Sequence, residues 1–142
     1  MNFLRREIVR EALEWVGTPF HDCASVKGQG CDCIGLLKGV YTAVGIVQPF
    51  DMPAYPPQWF QHHDEPKFLN GLASYGARRV KEGQPGDIAM YNYGRHAAHG
   101  GIIIDERTIV HAFMPIGRVT KGPLQDERLH SIWSVFNDES TG

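Results

Sequence analysis

Gly30-Cys31-Asp32-Cys33-Ile34-Gly35-Leu36-Leu37 is the stretch whose reading decides the fold. Turn formers precede it (Gly28-Gln29-Gly30), and a helical pattern follows from Cys33 to Val44, closed by Gly45. Asp32 is a good N-cap, because its carboxylate can accept the orphan N–H groups of a first helical turn. Cys33 is then the first helical residue. At about 100° per residue, Cys33, Ile34, Leu36, Leu37, Val40, Tyr41, Ala43 and Val44 share one arc, with Gly35, Lys38, Gly39 and Thr42 opposite. Cys33 therefore sits on the buried face at the positive end of the helix. A thiol there is expected to shift toward the nucleophilic thiolate, with N–H groups of the same turn facing a developing oxyanion. Cys31, before the cap, has neither advantage. Taken alone, Cys33 also fits a small core hydrophobe, so the reading turns on its partners.

The chain around this stretch is ordinary for one globular domain spanning residues 1–142. It has 142 residues, 42% hydrophobic and 21% charged, with a net charge of −2. That length supports a real core, and that charge gives no reason to expect nucleic acid or an anionic membrane as partner. No apolar run is long enough for a membrane span. The first residues alternate charged and apolar positions and lack a signal-peptide core. Three cysteines are no disulfide framework. A zinc site of Cys23, Cys31 and Cys33 with His21 is an alternative, weakened by a C-x-C spacing tighter than zinc knuckles use.

Residues 3–16 read as an amphipathic helix, with Leu4, Ile8, Ala12 and Trp15 inward and Arg5, Arg6, Glu7, Arg10 and Glu11 mostly outward. Gly17-Thr18-Pro19 ends it, and residues 20–30 read as a loop. Residues 46–64, rich in proline and aromatics, read as an ordered irregular crossing, and 65–75 as a short helix. The period then changes from 3.6 to 2. Strands are expected at Asp87–Tyr91, His99–Ile104, Thr108–Phe113, Arg118–Thr120 and Ser131–Phe136, with a helical turn over Leu124–His130. Helices first and antiparallel strands after imply an α+β architecture, helices packed on one face of a small sheet.

A nucleophilic cysteine needs a base and a group to orient that base. Of seven histidines, His62, His63 and His130 lie in polar surroundings, and His21 and His96 in loops. His99 and His111 stand in apolar strands that form one hairpin, and Gly100 and Gly101 leave room for close approach. Each singly could be a satisfied core residue; together with Cys33 they suggest a catalytic group.

Gly17-Thr18-Pro19-Phe20, Asp32-Cys33-Ile34-Gly35-Leu36, Pro85-Gly86-Asp87-Ile88, His99-Gly100-Gly101-Ile102 and Val110-His111-Ala112 resemble the successive motifs of the NlpC/P60 cysteine peptidases. The likeness is greatest to the compact phage and gene-transfer-agent branch. It runs from about Trp15 to Phe113. The resemblance implies a papain-like fold and hydrolysis of peptidoglycan stem peptides, typically between γ-D-glutamate and a diamino acid. It implies Cys33 as nucleophile, His99 as base and His111 as the orienting group, with no metal or organic cofactor. Phe20 stands where many members have tyrosine, so an oxyanion-side hydroxyl is missing. The Cys33 N–H, with Asp32 beside it, then has more to do, or Tyr91 or His21 supplies a donor. Arg95 and Arg118 are candidates for stem-peptide carboxylates. Other readings are a phage tail or assembly module that keeps the fold with little activity, and the zinc site. A phage-encoded protein made in the cytoplasm, reaching the wall with phage tail proteins or through a lysis pore, would need no signal peptide.

The hairpin sets a condition. An even two-residue turn at Glu106-Arg107 would pair Ile102 with His111 and send the two histidines to opposite faces. A shared face requires an odd loop, such as Asp105-Glu106-Arg107 with Ile103 opposite Ile109, or a bulge.

Overall fold

The computed structural model describes residues 2–45, 77–93 and 96–136. The expected crossing over 46–64 and helix over 65–75 lie outside the described residues. Helix α1 spans Phe3–Glu14 and α2 spans Cys33–Val44. Between them β1 (Ser25–Val26) and β2 (Gly30–Cys31) pair as a small antiparallel ribbon inside the stretch expected to be loop. Then follow β3 (Arg78–Val80), β4 (Ile88–Tyr93), β5 (His96–Ile103), β6 (Thr108–Phe113), β7 (Arg118–Pro123) and β8 (Leu129–Ser134). The last six form one antiparallel sheet in the order β3-β8-β4-β5-β6-β7. The architecture is α+β, as the order of elements predicts. Strand β7 runs to Pro123, longer than expected. The expected helical turn over Leu124–His130 is instead a loop and the start of β8, which shifts the last strand toward the N-terminus.

The sheet has two buried faces. Ile88, Met90, Ile102, Val110, Ala112 and Val119 pack under the helices with Ile8, Ala12, Leu36 and Val40. Ala89, Tyr91, Ile103, Ile109, Leu124 and Ile132 form a second cluster. The Gly17–Phe20 segment fastens to β7: Gly17 N donates to Val119 O at 2.9 Å, Val119 N to Thr18 O at 2.8 Å and Phe20 N to Gly117 O at 2.8 Å. This strap carries the chain from α1 past the sheet edge to the loop before α2.

Helix α2 is capped as expected. Asp32 Oδ1 accepts from Gly35 N at 2.8 Å, and Gly45 closes the other end at φ 85°, a left-handed position that glycine adopts without strain. The arc opposite the core is not a solvent face, however. A Cβ on Gly35 would stand 1.8 Å from Ala24 O, and one on Gly39 would stand 2.3 Å from the Trp15 ring. Both glycines are contact points at which the β1–β2 ribbon and α1 approach the helix backbone. Ala43, placed by the wheel in the buried arc, is exposed at the helix end.

Helix α1 corrects the expectation further. Leu4 is 44% exposed while Arg5 is 2% exposed. The Arg5 guanidinium donates to Asp87 Oδ1 at 2.9 Å, Pro85 O at 3.0 Å and Ser134 Oγ at 3.4 Å, and stacks 4.2 Å above the Phe136 ring. Asp87 Oδ2 accepts from Gln84 N at 2.9 Å, and the Tyr41 hydroxyl donates to Gly86 O. An arginine goes inside here because its Nη1 and Nη2 groups meet three acceptors, one of them a carboxylate. Removing the cation alone strands Asp87. Arg5→Ala should therefore destabilise by about 3–5 kcal/mol, and the double change to apolar residues at 5 and 87 by much less. Urea unfolding of the two variants checks this; equal losses would show that packing, not the ion pair, dominates.

Candidate active site

Strand β5 meets α2 through a break in the sheet. Ile103 sends both its N–H and its C=O to the β4 side, to Asp87 O and from Gly86 N. By strand alternation Ile102 and Gly100 point theirs toward β6. The β5–β6 ladder holds at Ile103–Ile109 and Ile102–Val110 and goes no further, although β6 pairs with β7 along its whole length. Where the next pair would form, the Gly100 N–H is directed at the Cys33 thiol, and so is the Ile34 N–H of the helix. The first residue of α2 thus replaces a rung of the sheet, beside His99.

The register is the odd one. Ile103 opposes Ile109, Ile104 N donates to Thr108 O at 3.0 Å, and Asp105 Oδ1 receives Arg107 N at 2.8 Å across the Asp105-Glu106-Arg107 loop. His99 and His111 consequently share a face, diagonal to each other. His99 Nε2 and His111 Nδ1 are 2.8 Å apart, with ring centroids at 5.1 Å. Gly101, opposite His111, is closely approached: a Cβ there would stand 3.2 Å from that of His111. On the far side, a Cβ on Gly122 of β7 would lie 2.7 Å from His111 Nε2. Phe113 stacks on His111 at 4.8 Å. Glycine on both neighbouring strands and an aromatic plate hold the second imidazole in place.

The electrostatics are those of a closed site. Burial and the Asp32 carboxylate push the Cys33 thiol up to about 12, against the opposing pull of the Gly100 and Ile34 N–H groups. Burial, then the positive fields of His111 and Arg128, press His99 down to about 3, and burial takes His111 to about 4. Against the expected thiolate, desolvation favours the neutral thiol and neutral imidazoles, opposing the pull of the helix end. Cys31 is likewise raised to about 12 by burial, and Cys23 is the exposed cysteine.

The remaining candidates have other duties. Asp32 caps α2 and, through Oδ2, accepts from Cys23 N at 2.7 Å. Phe20 is half-buried against the helix-side core, bridged to Cys31. Tyr91 lies opposite His99 on the same face, but its hydroxyl donates to Leu124 O at 2.7 Å. His21 Nδ1 lies 3.0 Å from its neighbour Asp22 O. Arg118 opens β7 against Pro19, and Arg95 is outside the described residues. Among the described residues no group of three or more His, Cys, Asp or Glu side chains could hold a metal ion, so Cys23, Cys31, Cys33 and His21 do not converge as the zinc alternative requires. No helix among them is long and apolar enough to cross a membrane.

A cavity of about 360 Å³ opens beside the histidines, lined by Tyr91, His99, Ile109, His111, Phe113 and the Lys121–Pro123 segment, with Asp126 and Arg128. Sequence reasoning passed over Lys121, Gly122 and Arg128; nothing in local pattern separates them from other polar loop and edge residues.

With this geometry in view, the family is plain. The NlpC/P60 family model matches residues 17–135, and the chain belongs to that family. The chain shares its fold with the NlpC/p60 domain of the peptidoglycan hydrolase SagA, at a TM-score of 0.67 and 21% identity over 94% of this chain and 99% of that one. The peptidoglycan hydrolase RipB from Mycobacterium tuberculosis is similar at a TM-score of 0.66 and 17% identity, over 94% of this chain and 65% of that one. RipD from Mycobacterium tuberculosis, described as a non-catalytic NlpC/p60 domain protein adapted to peptidoglycan binding, is similar at a TM-score of 0.60 and 12% identity, over 94% of this chain and 97% of that one. No curated protein matches the chain in sequence.

The depressed histidines make stability depend on pH. Above the ordinary imidazole value of 6.5 both are neutral folded or unfolded. As pH falls below 6.5 the unfolded chain takes up protons that the folded site refuses until about pH 4, so stability is lost on acidification. The loss is about 1.4 kcal/mol per pH unit for each histidine. Urea unfolding between pH 7 and 5 should show this slope, and His111→Asn should make it shallower; a slope identical in the variant would detach His111 from it.

Proposed function

We propose that this protein is a cysteine peptidase that cleaves peptide bonds of peptidoglycan stem peptides, with Cys33 as nucleophile, His99 as base and His111 as the orienting residue. The observation that carries the reading is the 2.8 Å His99–His111 contact on the strand whose next N–H, that of Gly100, is directed at the Cys33 thiol. With Nε2 committed to His111, the base function falls to His99 Nδ1. That requires the tautomer in which His99 Nε2–H donates to His111 Nδ1, a neutral acceptor. Substrate binding excludes water from a pair that is neutral at rest. The thiol proton passes to Nδ1 as sulfur attacks the amide carbon. N–H groups of the first α2 turn, that of Cys33 among them, hold the oxyanion. The imidazolium is held by its bond to His111 until it protonates the departing amine; water then releases the acyl group. The bond we assign is the amide on the γ-carboxyl of D-glutamate, a choice supported by motif resemblance. The phage-type setting rests on that same resemblance.

A second reading, a domain that binds peptidoglycan without cleaving it, is favoured by two observations. Burial opposes both charged forms of the pair, and Phe20 brings no hydroxyl to compensate.

Digestion of purified muropeptides with mass analysis separates the two. The wild-type chain should release fragments ending at D-glutamate. Cys33→Ala and His99→Ala should release none while keeping the wild-type circular dichroism. His111→Ala should retain turnover of order a hundredfold above that background, since an orienting group contributes less than nucleophile or base. Retention on purified sacculi with no fragment released by wild type would establish the binding reading instead.

A further inference from the structure

One nitrogen on the histidine face has no task in the mechanism derived above. His111 is only 8% exposed, and its bond to His99 uses Nδ1. Nε2, at the far end of the ring, has no protein partner among the described residues. It is not sealed in either. Among those residues Thr42 Oγ1 is the one side-chain nitrogen or oxygen both fully buried and without a partner. Nε2 therefore reaches solvent, on the cavity of about 360 Å³ that His111 lines. Gly122 leaves it uncovered, since a side chain there would begin 2.7 Å from Nε2. The tautomer required above also puts a hydrogen on this atom: a neutral His111 that accepts at Nδ1 is protonated at Nε2. The two rings thus form a chain, with an acceptor at His99 Nδ1 and a solvated N–H at the other end.

We propose that the positive charge formed during acylation is held by His111 and not by His99. The inference rests on the peptidase reading. As sulfur attacks, the thiol proton passes to His99 Nδ1, and the hydrogen on His99 Nε2 passes to His111 Nδ1. His99 is then neutral again, with its hydrogen on Nδ1, and His111 carries two N–H groups. Both transfers reverse when His99 Nδ1 protonates the leaving amine, so the pair ends as it began. A cation on His111 keeps one N–H against solvent and the other on the neutral His99. The surrounding charges agree. The Arg128 field acts against a cation on His99, while burial alone opposes one on His111. Asp126 offers His99 no free counter-charge, because its two oxygens pair with Arg128 at 3.2 and 3.3 Å. Thr120 opposes His111 on β7, which puts Lys121 at the alternate, helix-side position. Arg118, opposite Phe113, is exposed.

Two measurements test this. In Cys33→Ala, nitrogen NMR of the imidazoles as pH is lowered from 7 toward 4 should show both His111 nitrogens protonated while one of His99 is still bare. In the second, kcat/KM on muropeptides is followed in mixtures of light and heavy water. The wild-type plot should curve, because two protons move in one step. His111→Asn should give a straight line, since an amide oxygen accepts from His99 but takes up no proton. Its kcat/KM should fall about tenfold or more, with circular dichroism unchanged. A purely orienting role would leave the curvature the same in both proteins. A first proton found on His99, a straight wild-type plot, or a curve that survives His111→Asn overturns the inference and leaves the peptidase reading standing. A wild-type chain that releases no fragment removes the peptidase reading, and with it any acylation charge to hold.

Discussion

One buried carboxylate organises the approach of helix to sheet. Asp32 accepts from Gly35 N on one oxygen and from Cys23 N on the other, while its own C=O receives Leu36 N at 2.9 Å and its N–H donates to Ala24 O at 3.3 Å. Four hydrogen bonds thus tie the loop, the β1–β2 ribbon and the first turn of α2 into one unit. The direction in which α2 begins is fixed by this residue, and so is the position of Cys33. Gly35 completes the constraint, because only a residue without a Cβ lets Ala24 O come so close to the helix.

The sheet makes the complementary concession. A continuous β5–β6 ladder would have used the Gly100 N–H internally and closed the gap where Cys33 enters. Pairing instead stops at Ile102–Val110, and β6 keeps its hydrogen bonds by pairing with β7 throughout. The odd three-residue loop then does a second job, since it decides that His99 and His111 emerge on the same face. Backbone register and helix capping, not side-chain preference, bring the three residues into one neighbourhood.

Much of this was legible in the sequence because it depends on local chemistry and parity. Asp32 before an apolar helical run, Gly45 after it, and the count of residues between His99 and His111 are each readable without a structure. Arg5 was not. A helical wheel assigns an arginine outward, and only the arrival of Asp87, Pro85 and Ser134 from distant parts of the chain makes its burial favourable. Gly35 and Gly39 failed in the same way. Their small size reads as polar-face filler until Ala24 and Trp15 are seen against them. The β1–β2 ribbon is too short for any period to register. Tertiary partners overrode local pattern at each of these places.

The ionisation of Cys33 is the place where a correct local argument gave the wrong sign. A helix N-terminus does favour thiolate, and the Gly100 and Ile34 N–H groups add to that pull. Yet the device that places the sulfur is itself an anion, adjacent in the chain, and the thiol is buried. Asp32 therefore positions the Cys33 sulfur and opposes its charge at once. An acid in the place of His111 would add a second buried anion, drawing the proton onto His99 at rest; a neutral imidazole orients the ring without doing so. In the mechanism we propose, the histidine pair leaves proton transfer to the moment when a substrate carbonyl offers the sulfur's electrons somewhere to go. Such a site would be quiet until occupied. The fixed N–H groups around the sulfur would then lower the barrier, because they need no reorganisation when charge appears.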